Sequence, residues 1–250
     1  MATPHAAPGP FKTLSISSEL GALRFTFPDT GNMDAHVRAI LAGQTYPWPI
    51  LPAGYAFDTI VDVGANVGAS ALWFAARKPR RLVCFEPARD NLALLRQNLA
   101  SVPGVEVHPY GLLDRDGELP LYHGKQQVMQ HSLVRSIETG SDSETVKLRR
   151  ASRVLAELRI ESISLLKLDT EGAEIPILSD IAGMLPRIDM IFVEYHSEAD
   201  RREIDAMMAS GFVLSFARGE IPHRGVNLYL ANRIANAVPI HAAMALDRPA

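Results

Sequence analysis

The chain has 250 residues, 47% of them hydrophobic, and a formal net charge of −3. That is enough for one sizeable α/β domain with its own core, and it excludes a disordered or fibrous chain. The mild acidity implies no strongly basic surface, so no nucleic-acid partner is expected, and no run reaches the ~18 apolar residues of a membrane-spanning helix.

Residues 1–10 are rich in Ala and Pro, carry no signal-peptide pattern and read as a leader. The first 54 residues together read as a leader and cap segment. Within them Tyr46-Pro47-Trp48-Pro49 places two aromatics between prolines, either a rigid lid or a packed strap. Asp58–Val63 is the first buried strand, and a helix over Gly68–Arg77 follows. Strand Leu82–Glu86, helix Arg89–Ala100 and strand Val105–Tyr110 continue the alternation. Cys84, the single cysteine, lies in an apolar strand and excludes an internal disulfide; with no membrane helix or signal peptide, the chain is predicted to be cytoplasmic. Asp114-Arg115-Asp116-Gly117 is a turn signal, Leu119–Tyr122 is strand-like and Glu138–Glu144 is polar. Residues 112–148 therefore read as an inserted hairpin plus a loop. Helix 151–158, strand Ser164–Asp169, helix Ala173–Leu185, strand Met190–Tyr195 and helix Glu198–Ser210 resume the pattern. Phe212–Ala217 and Val226–Ala231 form a closing antiparallel pair, and residues 235–250 are a tail.

This alternation with fully apolar strands predicts one Rossmann-like three-layer α/β domain over residues 55–234. Its sheet has seven strands, mostly parallel, with an antiparallel C-terminal edge and the inserted hairpin between the third and fourth strands. In such a sheet ligands bind at the carboxyl ends of the strands, near the reversal of strand order. The first strand runs into Asp62-Val63-Gly64-Ala65-Asn66-Val67-Gly68. Gly64 permits a sharp turn, and Gly68 permits close contact where the helix begins. The second strand ends in Glu86-Pro87, and an acid at that tip accepts hydrogen bonds from a ribose diol. The glycine pattern is G-x-x-x-G, with Asn66 where a dinucleotide-binding loop has its middle glycine. A ligand with a ribose but no pyrophosphate fits better, and S-adenosylmethionine is such a ligand.

With these motifs, over roughly residues 55–232, the chain resembles the FkbM-type methyltransferases of the class I S-adenosylmethionine-dependent fold. The carriers are Val61–Gly68, Cys84-Phe85-Glu86-Pro87, Leu166-Lys167-Leu168-Asp169-Thr170-Glu171-Gly172-Ala173-Glu174, and Val193-Glu194-Tyr195-His196. The resemblance implies O-methylation of a hydroxyl on a small molecule or sugar, of glycan or polyketide type. Methyl transfer needs a positioned nucleophile and a group to take its proton.

Asp62, Gly64, Ala65, Asn66, Gly68, Glu86, Pro87, Gly111, Leu112 and Asp169 are expected to hold the cofactor. Asp169, Glu171, Glu194 and His196 are expected to serve the reaction, with Asp169 or His196 as base. The first-turn position of Glu174 is explained by the helix dipole alone. A divalent metal on Asp169, Glu171, Glu194 and His196 is the less favoured variant, since no tight ligand motif is present. The competing readings are a nicotinamide-dependent oxidoreductase, which the missing glycine opposes, and a non-catalytic cofactor-binding module, which the retained acids oppose.

Overall fold

A computed structural model describes residues 10–18, 21–124 and 139–239. Strands β1 (Phe11–Ser18) and β2 (Gly21–Pro28) pair antiparallel and precede helix α1 (Met33–Leu41). Then come β3 (Thr59–Val63), α2 (Ala69–Ala75), β4 (Arg81–Phe85), α3 (Arg89–Asn98) and β5 (Val105–His108). The insertion holds β6 (Gly111–Leu113), β7 (Gly117–Gly124) and β8 (Thr139–Arg150). Helix α4 (Ala151–Glu157), β9 (Leu165–Leu168), α5 (Glu174–Asp180), a 3-10 turn (Ala182–Arg187) and β10 (Met190–Tyr195) follow. Helix α6 (Glu198–Met208), β11 (Phe212–Ile221), β12 (Arg224–Ala231) and the short α7 (Asn232–Ala235) close the chain.

The main sheet has seven strands in the order β11-β12-β10-β9-β3-β4-β5. Strands β5, β4, β3, β9 and β10 are parallel, and β12 and β11 form the antiparallel edge, as the strand pattern predicts. Alternate residues feed two cores. Val61, Val63, Ile191 and Val193 face helices α4, α5 and α6. Ile60, Leu82, Met190 and Phe192 face α1, α2, α3 and the β1–β2 pair. Chain order reverses between β3 and β9, the place where such sheets bind ligands. No helix among the described residues is long and apolar enough to cross a membrane.

Three details depart from the sequence reading. The polar stretch read as a loop over 138–144 is strand from Thr139 onward. Its backbone pairs with β7 down to Tyr122↔Ser143, and ladder hydrogen bonds do not require apolar side chains. The insertion is thus a hairpin of β7 and β8 widened by β6 into a three-stranded sheet. The helix read over 173–185 ends at Asp180, because Gly183 and Pro186 cannot sustain it and a 3-10 turn takes over. Residues 11–18 and 21–28, read as part of a cap without elements, are a β-pair docked on α3. Residues 1–9, residues 125–138 of the insertion and the tail beyond 239 lie outside the described residues.

Besides the apolar packing of Phe25 and Phe27, one amide ties the pair in place. The buried Asn98 side chain accepts from the Thr26 N–H at 2.8 Å and donates to the Thr26 and Val67 carbonyls, each at 2.8 Å. Asn98→Ala would leave buried backbone groups unpaired at about 1–3 kcal/mol each. Amide exchange in residues 21–28 is expected to accelerate before that of the main sheet; equal protection in both would contradict the role of Asn98.

Candidate active site

Asp62 and Lys167 are register partners on adjacent parallel strands, so both side chains emerge on the same face of the sheet. Both are buried, Asp62 at 0% and Lys167 at 2% exposure. The Lys167 ammonium lies 3.2 Å from Asp62 Oδ1 and 3.3 Å from Asp169 Oδ2, and it donates to the Gly64 carbonyl at 2.8 Å. Burial works against the charge on Lys167, but Asp169 and Asp62 outweigh it and hold the ammonium well above the usual lysine range. The other Asp62 oxygen accepts from the Ser70 hydroxyl at 2.6 Å. Asp62 is therefore committed to bracing the loop from inside.

The glycine loop fits against the end of β9. Gly64 has φ 78°, and a Cβ there would stand 1.8 Å from the Asp169 carbonyl oxygen, so no other residue fits. Asn66 also turns left-handed, at φ 52°. On the far side Glu86 accepts the Asn66 and Ala88 backbone N–H groups, each at 2.8 Å, with one carboxylate oxygen apiece. Burial raises its pKa to about 7 against these hydrogen bonds. Pro87 touches the site where Gly111 would carry a Cβ, 3.5 Å away, so the second-strand tip and the start of β6 do meet. Leu112 is 3% exposed and packs into the core, leaving its backbone as the part that can face a ligand.

Four more acids gather past β9 and β10. Asp169, partly open at 26% side-chain exposure, is buried enough to favour neutrality, but Lys167, a hydrogen bond from Glu194 and His196 outweigh that and hold it below the usual carboxylate range. Glu171 sits in a left-handed turn at φ 56°, and burial raises its pKa to about 7 against the pull of His196. His196 lies between two carboxylates, with Nδ1 at 3.6 Å from Glu171 and Nε2 at 3.5 Å from Glu174. Burial would lower its pKa, yet Glu174, Glu171 and Asp169 raise it to about 9. The imidazole is thus charged at neutral pH, and a charged ring holds carboxylates in place rather than accepting a proton. Glu174, explained above by the helix dipole alone, instead gathers the Thr170 and Gly172 N–H groups and the Thr170 hydroxyl and faces His196. Among the described residues no three His, Cys, Asp or Glu side chains are arranged around one metal-sized position.

Two residues escaped the sequence reading. Lys167 was visible only as a motif letter, although a lone charge between Leu166 and Leu168 in a buried strand demands a partner. Tyr46, from the aromatic strap, is 3% exposed, and its hydroxyl donates to Asp169 Oδ2 at 3.2 Å. The strap is packed: Trp48 stacks near Trp73, whose indole N–H donates to the Tyr46 carbonyl at 2.8 Å.

The Methyltransferase FkbM domain matches residues 62–220 of this chain. A similar stretch occurs in the AMB antimetabolite synthetase AmbE of Pseudomonas aeruginosa, 30% identical over 56% of this chain but only 8% of that protein. The 2-O-methyltransferase NoeI of Sinorhizobium fredii is 26% identical over 64% of this chain and 75% of its own length. The hexuronic acid methyltransferase AglP of Haloferax volcanii is 22% identical over 61% of this chain and 62% of its own.

Removing Lys167 alone strands two carboxylates. Lys167→Met is expected to cost about 3–5 kcal/mol in urea unfolding, the scale for breaking a buried ion pair from one side. Adding Asp62→Asn should recover part of that loss; strictly additive losses would contradict the coupling.

Proposed function

This chain belongs to the FkbM methyltransferase family, and on that footing we propose that it transfers the methyl group of S-adenosylmethionine to a hydroxyl of a small molecule or sugar. One observation carries the reading: at the β3–β9 switch point an ionised, partly open Asp169 stands against a glycine loop whose other side is braced by Glu86. A sulfonium donor is cationic, and the ionised Asp169 offers it a partly open negative charge beside the loop. The open carboxylate therefore suits the charge of the cofactor. When bound, the cofactor supplies an activated methyl carbon, so the protein's task is placement and proton removal.

Each residue then has a part. Asp62, Gly64, Ala65, Asn66 and Gly68 form the floor of the cofactor site. Glu86 accepts one backbone N–H on each oxygen and a further bond from the Asn91 side chain, which leaves an acceptor site for a ribose hydroxyl. Pro87, Gly111 and the Leu112 backbone border the adenine. Asp169 takes the amino group of the cofactor's amino-acid end. On the acceptor side Glu171 receives the hydroxyl proton, since its pKa lies near neutrality while Asp169 is too acidic and His196 already charged. His196 and Glu194 hold Glu171 and Asp169 in position. NoeI is by its name an O-methyltransferase and AglP a hexuronic acid methyltransferase, which supports a hydroxyl, and among hydroxyls a sugar's, as acceptor here.

Mass spectrometry should find a gain of one methyl on a sugar or polyketide hydroxyl, with S-adenosylhomocysteine formed in equal amount. Calorimetry should show saturable binding of S-adenosylhomocysteine. Affinity is expected to rise with pH through about 7, where Glu86 ionises, and Glu86→Gln should flatten that rise while weakening binding about tenfold. No binding by the wild-type chain would refute the cofactor reading.

A further inference from the structure

The FkbM match begins at residue 62, yet Asp169 is gripped from a segment ahead of it. Tyr46 sits in the strap between α1 and β3. Its ring packs edge-on against Phe192 at 5.2 Å and tilted against Phe74 at 5.7 Å, with the Lys167 ammonium 5.9 Å from its centre. Two further contacts pin the strap. Trp73 donates to the Tyr46 carbonyl, and Arg218 of β11 donates to the Gln44 carbonyl at 3.1 Å. Burial and the charges of Asp169 and Asp62 keep the phenol neutral, so it is a permanent donor. Tyr46 and Lys167 both engage Oδ2 of Asp169, which removes the carboxylate's freedom to rotate. Two donors on Oδ2 and the bond from Glu194 fix the carboxylate's orientation, and its 26% side-chain exposure leaves it open to a ligand at the ends of the strands.

We propose that Tyr46 is a positioning residue that sets the Asp169 carboxylate for the ammonium of the cofactor's amino-acid end, making the strap ahead of the FkbM region part of the cofactor site. The proposal rests on the methyltransferase reading above. It has a signature that a purely structural role lacks. S-adenosylhomocysteine carries the amino-acid end, whereas 5′-methylthioadenosine shares its adenosine and thioether but lacks that end. Loss of a positioned carboxylate should therefore penalise the first ligand alone.

The test is calorimetry on the full chain with both ligands. Tyr46→Phe keeps the ring and its packing and removes only the hydroxyl. We expect the Kd for S-adenosylhomocysteine to rise about tenfold and that for 5′-methylthioadenosine to stay within about twofold. Asp169→Asn should produce the same selective loss, and adding Tyr46→Phe to it should produce little more. Equal weakening of both ligands, or of neither, would overturn the role of Tyr46 while leaving the cofactor reading intact. A wild-type chain that bound neither ligand would overturn the cofactor reading and the role of Tyr46 together.

Discussion

A lysine ammonium sits where the fold can least easily hold a charge, at 2% exposure in the middle of a parallel sheet. An isolated buried charge would neutralise or unfold its surroundings. Lys167 persists because Asp62, Asp169 and the Gly64 carbonyl surround it, each within 3.3 Å. The dependence runs both ways. Without Lys167, Asp62 and Asp169 would face each other in a low dielectric, and the glycine loop would lose the donor that fixes its backbone. A one-residue slip between β3 and β9 would turn Lys167 to the opposite face, away from Asp62. The ion cluster thus fixes register, loop and site together.

The chemistry proposed here grows from that arrangement. Asp169 stays ionised because Lys167 stands beside it, and an ionised acid at a strand tip suits a cationic methyl donor. Glu86, two strands away at the tip of β4, is in a different state: burial raises it to about 7, and Lys167 bears on it least among the groups that oppose burial. Glu171 is likewise raised toward 7, with His196 charged at its side. One sheet edge therefore carries acids of the same type with separated proton affinities, which divides holding from proton transfer. The acceptor would be chosen by what surrounds this edge: the strap on one side, the three-stranded insertion on the other.

The parallel sheet and its antiparallel edge were legible in the sequence because apolar runs such as Ile60-Val61 and Ile191-Phe192-Val193 answer to a single physical demand, burial on both faces. The family followed from the glycine loop, the Glu86 tip and the Lys167–Glu174 motif. Interactions across the sheet were not legible. That Lys167 meets Asp62 depends on strand order, and that Tyr46 meets Asp169 depends on where a strap of irregular backbone crosses the strand ends. Glu174 looked like an ordinary first-turn acid because nothing local reveals His196 opposite it. Strand β8 was hidden for the reverse reason: its pairing rests on backbone that reads as polar loop.

Hydrogen exchange measured on the full chain with and without S-adenosylhomocysteine tests the central claim most directly, because the ion cluster joins two distant stretches into one binding unit. Slowed exchange is expected together in peptides covering residues 61–68 and 166–172, with a smaller effect over 86–91. Unchanged exchange in the first two stretches at saturating ligand, or protection of one without the other, would contradict it.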